Sequence, residues 1–136
     1  MRHIAMIVAG VALAAGMPAL AAKVDRVAAA EAKLAKALEG RVAGEPVRCL
    51  PLSQVRESTV YDRTAIVYRV GRKLYVNRPD DAFALNDDDV LVTWTTGSQL
   101  CNIDVVRLVD RQMGFQRGFV MLGKFVPYSR VEQALN

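Results

Sequence analysis

The only cluster of side chains in this sequence that could form a cation-binding site consists of carboxylates. Asp87, Asp88 and Asp89 stand in a row, and Asp80 and Asp81 come shortly before them. A hard cation such as calcium needs several convergent oxygens, but the row lacks the alternating spacing of a D-x-D-x-D-G calcium loop. Aspartate and asparagine are also ordinary turn formers. We therefore interpret the row as a solvated polar loop and predict no metal, with cation binding by Asp87 to Asp89 as the alternative.

Histidine and cysteine chemistry is sparse. The single histidine, His3, lies in a stretch that we expect to be removed, so the mature chain has no imidazole base, histidine ligand or Ser-His-Asp arrangement. The two cysteines, Cys49 and Cys101, are expected to form a disulfide in an exported protein, which would leave no reactive thiolate. The alternatives are free thiols or an intermolecular bond. We predict no catalytic residue and no cofactor.

One predicted hairpin combines aromatic rings with positive charge. Tyr68, Tyr75, Arg69 and Lys73 form a candidate binding surface, which would suit an anionic glycan or polymer. The competing interpretation is structural, because tyrosines commonly pack inward while long basic side chains reach water along an apolar surface. Trp94, which alternates with valines, is predicted to be a core residue.

The first 21 residues have the features of a signal peptide. Arg2 precedes an apolar run, Pro18 follows it, and Ala19-Leu20-Ala21 is an A-x-A cleavage site. We predict cleavage after Ala21, a mature chain that begins at Ala22, and a periplasmic or secreted location. The alternative is an uncleaved anchor, but the apolar run is shorter than the roughly 20 residues that a bilayer span needs. No stable membrane insertion is expected after cleavage.

The charge balance argues against a nucleic-acid partner. The 136 residues include 18 basic and 14 acidic ones, and the leader contains one of the basic residues, which leaves 17 against 14, a net charge of +3. Basic residues are interspersed with acids, so the clustered positive charge of a nucleic-acid-binding protein is missing. After cleavage about 115 residues remain, which is enough for one domain and too few for two.

A helix is predicted before the cysteines. Residues 24–38 have apolar side chains at helical spacing, made mainly of alanine, and Gly40 stands where a helix commonly ends. We assign residues 22–46 to this helix and a linker. The narrow apolar stripe leaves two behaviours open, a helix that docks weakly on the domain or one that moves as a spacer.

A β-hairpin is the clearest local signal. Two β-rich runs, residues 64–70 and 73–77, are joined by a Gly-Arg dipeptide that favours a type II′ turn. The turn pairs Tyr68 with Tyr75 and Val67 with Val76, so both faces of the hairpin are apolar. Strands that are apolar on both faces are normally covered on both. We expect cover from the helix or the C-terminal segment, with a second subunit as the alternative.

Other short runs complete a β-rich domain, which we assign to residues 47–136. Strands are predicted at 55–61, 90–96, 105–109 and 119–126, Pro127 is expected to end the last strand, and a short helix is expected over 130–135. The fold class is α+β, an N-terminal helix followed by a small antiparallel sheet of five or six strands that could curl into a partly closed barrel.

Four segments of this domain resemble one protein family. They are Cys49-Leu50-Pro51-Leu52 with Val55-Arg56, Thr64-Ala65-Ile66-Val67-Tyr68, Leu100-Cys101-Asn102-Ile103-Asp104 and Leu122-Gly123-Lys124-Phe125-Val126-Pro127-Tyr128. Over about residues 47 to 128 the chain resembles small, exported, uncharacterised proteobacterial proteins. The resemblance implies export and the limits of the domain, and it brings no established activity. Some relatives have a further cysteine pair that this chain lacks, which implies that Cys49 with Cys101 is the bond available here.

Together these observations predict a non-catalytic binding or structural module of the periplasm. Its partner would be a protein or another envelope component, and the protein itself a monomer or a weak homodimer. The alternative is a hydrolase that uses carboxylates alone on an envelope glycan. Such an enzyme needs two acids at a fixed distance in a cleft, one of them with a raised pKa, and the sequence identifies no such pair.

Overall fold

The computed structural model describes residues 18–134, which form two α-helices, ten β-strands and two short 3-10 helices at Leu52–Gln54 and Ala82–Ala84. Helix α1 is Pro18–Ala37 and helix α2 is Val131–Ala134. The strands are β1 Arg41–Ala43, β2 Cys49–Pro51, β3 Val55–Tyr61, β4 Ala65–Val70, β5 Lys73–Asn77, β6 Asp89–Thr93, β7 Gln99–Cys101, β8 Val105–Asp110, β9 Gln116–Met121 and β10 Phe125–Arg130. Most of the predicted signal peptide lies outside the described residues.

The strands form three antiparallel sheets. The five-stranded sheet has the order β1-β10-β5-β4-β3, the three-stranded sheet the order β6-β8-β9, and β2 pairs with β7. The α+β class is therefore confirmed, and no sheet closes into a barrel. The strands outnumber the five or six expected for two reasons. Strands β1, β2 and β7 have three residues each, too few to display a period of two, and the segment predicted as one strand over 119–126 contributes to both β9 and β10.

The predicted hairpin is β4 with β5, and its register is confirmed. Val70 pairs with Lys73, Tyr68 with Tyr75 and Val67 with Val76. Gly71, the first turn residue, has a φ of +57°, a backbone conformation that a type II′ turn requires and that glycine adopts without a steric penalty.

Both faces of this hairpin are covered by the chain itself. On one face four buried hairpin residues pack with Leu34 of α1; they are Ala65, Val67, Leu74 and Val76. On the other face Ile66 and Tyr68 join a core that includes Val106, Leu108 and Val120 of the three-stranded sheet. The expected cover by the helix is confirmed.

Helix α1 is also fixed to the domain by an ion pair. Glu31 accepts two hydrogen bonds from the Arg78 guanidinium, at 2.6 and 3.0 Å, and the bonding to Arg78 lowers the pKa of the Glu31 carboxyl. The helix begins at Pro18, inside the predicted leader, so cleavage after Ala21 would remove its first turn. The segment assigned as a linker contains β1, which pairs with β10.

The disulfide is confirmed and lies in the two-stranded sheet. Cys49 of β2 and Cys101 of β7 are direct neighbours in the antiparallel register and are bonded to each other. The next pair along these strands, Leu50 with Leu100, is buried in the core between the two larger sheets. The bond therefore ties the chain that enters the five-stranded sheet to the chain that enters the three-stranded one.

The predicted strand over 119–126 is wrong as one element, because the chain changes sheets within it. Strand β9 ends at Met121 and β10 begins at Phe125. Between them the buried Asn77 amide donates to the Gly123 carbonyl at 2.6 Å and accepts the Gly123 N–H at 3.0 Å. A Cβ at Gly123 would lie 2.9 Å from the Arg78 carbonyl oxygen, so this close crossing needs glycine.

Pro127 lies inside β10 and does not end it, which corrects the prediction. Proline has no N–H for a neighbouring strand. The neighbouring chain leaves β10 at this point, because its pairing stops at Ala43 with Tyr128 and resumes at Val47 with Phe125. The missing N–H of Pro127 therefore faces an interrupted part of this edge, where the Pro127 carbonyl still accepts the Gly44 N–H at 2.8 Å.

Candidate binding surface

The three-stranded sheet has one face in the core and one face exposed. Successive side chains of a strand point to opposite faces, so alternate residues of β6, β8 and β9 point away from the core. We call this surface the outer face and define it by Val90, Val92, Trp94, Val105, Arg107, Phe119 and Met121. Its apolar members are between 37% and 76% exposed. No other element within residues 18–134 covers these apolar side chains, and they are therefore exposed to solvent.

Arg107 lies at the centre of the outer face. It belongs to the middle strand, β8, and pairs with Val92 on one side and Phe119 on the other. Its guanidinium carbon lies 5.7 Å from the centroid of the Trp94 ring, a distance typical of cation–π contact. No salt bridge to Arg107 is found among the described residues. The face therefore combines apolar rows with one cation that is held by an aromatic ring.

The carboxylates nearest this sheet are engaged elsewhere. Asp89, whose side chain is 1% exposed, binds the Arg117 guanidinium through two hydrogen bonds of 2.8 Å, and this bonding raises the pKa of Arg117. Asp104 accepts the Cys101 N–H at 2.6 Å. Asp110 accepts two N–H groups of the turn after β8, at 2.9 and 2.8 Å. These acids stabilise turns and the sheet interior, and none of them forms an ion pair with Arg107 in the described part of the chain.

Trp94 corrects the sequence prediction. It was expected in the core, and it is 76% exposed. The alternation of residues 90–94 is real, but its two faces are the reverse of those expected. Asp89 is on the inner side, where a carboxylate is unexpected from sequence, and it is neutralised there by Arg117, 28 residues later in the chain.

The four hairpin residues predicted as a binding surface do not share one exposed surface. Tyr68 is 3% exposed and packs edge-on against the Phe125 ring, with centroids 5.7 Å apart, and burial raises the pKa of its phenol. Tyr75 is half-buried against the same core. Lys73 is exposed beside the turn, whereas Arg69 projects from the opposite face of the hairpin, because adjacent residues of a strand alternate. Arg69 therefore lies on the opposite face of the hairpin from the Tyr68 and Tyr75 rings and from Lys73.

The acidic loop borders a cavity of about 580 Å³ between α1 and β3. Asp62, Asp87 and Asp88 line it together with Arg26 and Lys33 of the helix. Within the loop the Asp88 N–H donates to an asparagine side chain at 3.0 Å, as expected of a turn. No group of three or more histidine, cysteine or acidic side chains that could hold a metal is found in the described part of the chain. The cavity is a polar groove of mixed charge.

Sequence reasoning did not identify the outer face, although one signal was present. Residues 105–109 and 119–121 are apolar at successive positions apart from Arg107, which is the pattern of strands with two apolar faces. The same signal correctly predicted the covered hairpin. Only the tertiary arrangement decides which of two such sheets the helix covers.

No family model, curated protein or solved structure matches the chain. The resemblance to exported proteobacterial proteins therefore stays a prediction, and the chemistry of the chain's own surfaces has to indicate what it does.

Proposed function

We propose that the protein is an exported, non-catalytic module that binds another protein through the outer face. The observation that supports this is the exposed apolar sheet surface around Arg107. Monomeric proteins rarely expose contiguous apolar patches larger than a few hundred Å² unless the patch is used for binding. Tryptophan, phenylalanine, methionine and arginine are also enriched in protein interfaces, and tryptophan and arginine are enriched in their energetic hot spots.

Export is supported by the disulfide and by the predicted signal peptide. A bond between register neighbours fits an oxidising compartment, since cytosolic thiols are kept reduced. No helix within residues 18–134 is both long and apolar enough to cross a membrane. From the disulfide and the predicted signal peptide we propose a periplasmic or secreted location for the mature chain, in line with the family that it resembles.

The non-catalytic assignment rests on the chemistry that the mature chain contains. After removal of the leader no histidine remains, and both cysteines are bonded to each other. Nucleophilic catalysis by a thiolate or by an imidazole-activated hydroxyl therefore has no starting group. The outer face itself offers aliphatic and aromatic side chains and one guanidinium, which suit recognition.

A second candidate function is the carboxylate hydrolase, because Asp62, Asp87 and Asp88 line one cavity. The mature protein would be incubated with purified peptidoglycan, and release of reducing ends would be measured for wild type, Asp62→Asn and Asp87→Asn. Release that either variant abolishes would favour the hydrolase. Equal, background release from all three would remove this candidate.

Site-specific photocrosslinking in the native cell envelope tests the binding module. Benzoylphenylalanine would replace Val105 or Phe119 on the outer face, and Val42 of β1 serves as the matched control, because Val42 and Val105 are both strand valines that are 42% exposed. We expect discrete crosslinked products from the two outer-face positions and weak or none from position 42. Equal products at all three positions, or none at positions 105 and 119, would contradict the proposal.

A further inference from the structure

We infer that the partner contributes a protein segment with one carboxylate flanked by apolar side chains, and that this carboxylate binds Arg107. The inference rests on the proposed function and specifies the chemistry of the partner. It follows from what must happen to the charge of Arg107 when the outer face is covered.

Covering the outer face removes Arg107 from water. A buried charge without a hydrogen-bonded partner is strongly unfavourable, whereas a guanidinium and a carboxylate can form two parallel hydrogen bonds. The Trp94 ring lies against the guanidinium at 5.7 Å, and the planar fork of N–H donors is suited to a bidentate acceptor. The partner therefore has to bring a planar anion to the centre of the face.

The acidic side chains within residues 18–134 do not provide this anion. Asp89 is bonded to Arg117, and Asp104 and Asp110 accept backbone N–H groups. None of the salt bridges formed by residues 18–134 includes Arg107. The carboxylate must therefore come from another molecule.

A second copy of this chain does not fit the charge of the face. A two-fold dimer through the outer face would bring the same surface from both subunits. It would bury two Arg107 side chains and contribute no carboxylate from either set of outer-face residues. The weak homodimer expected from sequence is thus disfavoured at this surface.

A membrane surface fits less well than a protein. Attraction to anionic lipid usually depends on clusters of about four to eight basic residues. Of the residues that define the outer face, Arg107 alone is basic, and apolar side chains surround it. One cation among apolar rows matches one carboxylate among apolar side chains, and a protein segment can supply both.

Selection from a displayed library of random 12-residue peptides tests the inference on the intact mature protein. Peptides selected by wild type should be enriched in one aspartate or glutamate between apolar residues. Arg107→Glu should instead select lysine or arginine at that position, and it should weaken binding of a wild-type-selected peptide at least 10-fold. Lys73→Glu makes the same charge change on an exposed residue away from the face and should leave both results unchanged.

Several results would overturn the inference. They are a selection with no enriched peptide, no acidic preference, the same consensus with Arg107→Glu, or a loss of binding with Lys73→Glu alone. Binding to vesicles of phosphatidylglycerol and phosphatidylethanolamine that Trp94→Ser abolishes would indicate a lipid. A dimer in analytical ultracentrifugation that Phe119→Thr dissociates would indicate a second copy.

The photocrosslinking experiment distinguishes failure of the carboxylate inference from failure of the proposed binding function. Crosslinks at Val105 and Phe119 together with an unchanged consensus for Arg107→Glu would contradict this inference and leave the binding module standing. Absence of crosslinks at both positions would contradict the proposed function itself.

Discussion

The five-stranded and three-stranded sheets are built from similar strands and end in opposite surroundings. The hairpin of the five-stranded sheet is apolar on both faces, with Leu34 of α1 on one side and the shared core on the other. The three-stranded sheet is apolar on both faces too, yet Phe119 and Trp94 on its outer face are 55% and 76% exposed. Apolar residues on both faces are explained by packing in the five-stranded sheet. In the three-stranded sheet packing explains only the inner face, and the apolar outer face needs another explanation.

Burial decides how much each apolar side chain contributes to folding. Apolar surface removed from water stabilises the fold by roughly 25 cal/mol per Å², so the covered sheet gains on both faces and the three-stranded sheet gains on one. Side chains of the outer face should therefore be replaceable without unfolding the protein.

Removal of the disulfide should have the largest effect, because Cys49–Cys101 joins the chain segments that lead into the two sheets. The double variant Cys49→Ala/Cys101→Ala loses a constraint on the unfolded chain across a sequence separation of 52 residues. By the chain-entropy argument its free energy of unfolding should fall by about 4 kcal/mol. Urea unfolding followed by circular dichroism measures this change. A decrease below about 1 kcal/mol would mean that the sheets hold together without the bond.

Leu34→Ala should have the next largest effect, because Leu34 is 1% exposed where α1 covers the five-stranded sheet. Truncation of a buried leucine destabilises proteins by roughly 3 kcal/mol through lost burial and the cavity that remains. Val24→Ala is the control on the same helix, since Val24 is 61% exposed and should change little. Thermal unfolding compares the two variants. Similar melting temperatures for them would show that the helix does not stabilise the covered face.

Glu31→Gln should weaken the attachment of α1 in a pH-dependent way. Hydrogen bonding to Arg78 lowers the pKa of the Glu31 carboxyl below its ordinary 4.5, so the ion pair stabilises the fold at neutral pH and this contribution disappears as the pH falls through the lowered pKa. Both side chains are about half exposed, so solvent screening limits the loss at pH 7 to roughly 0.5 kcal/mol.

Chemical denaturation of wild type and Glu31→Gln at pH 7 and pH 3 measures this difference. The gap between the two proteins should be present at pH 7 and should narrow at pH 3. Arg78→Gln is the reciprocal control and should give the same pattern. A gap that widens on acidification would contradict the assigned direction of the pKa change.

Local sequence signals predicted the covered sheet well. The turn glycine and the two-residue loop determine the register of the hairpin, because a tight turn acts between neighbours in the chain. Apolar residues on both faces also predicted that the hairpin needs cover, which α1 provides. The disulfide followed from the number of cysteines and the predicted export.

Interactions between distant residues explain what the sequence did not reveal. The break between β9 and β10 depends on Asn77, 46 residues before Gly123. Asp89 can be buried because it pairs with Arg117. The sequence does not show this pairing, and an aspartate whose partner is unknown indicates a solvent-exposed face. Trp94 was predicted in the core because it alternates with valines, and that alternation alone does not show which face of β6 points inward. The outer face was missed because its strands have the sequence pattern of core strands. Only the position of α1 shows that they are left exposed.

The smallest expected change in stability is also the most informative, and it compares two adjacent residues. Phe119 points outward and Val120 points into the core, where it is fully buried. Phe119→Thr keeps a residue suited to strands and should alter the free energy of unfolding by no more than about 0.5 kcal/mol. Val120→Thr places a hydroxyl in the core and should lower it by roughly 2 kcal/mol.

Urea unfolding of both variants gives these values, and photocrosslinking from position 105 in each background gives the second readout. We expect Phe119→Thr to lose crosslinked products while its stability is retained, because Phe119 contributes apolar surface to a partner and little to the fold. A loss of stability in Phe119→Thr as large as that in Val120→Thr would mean that the outer face is structural. Residues of the outer face would then stabilise the fold as core residues do, and the proposal that this face binds a partner would be contradicted.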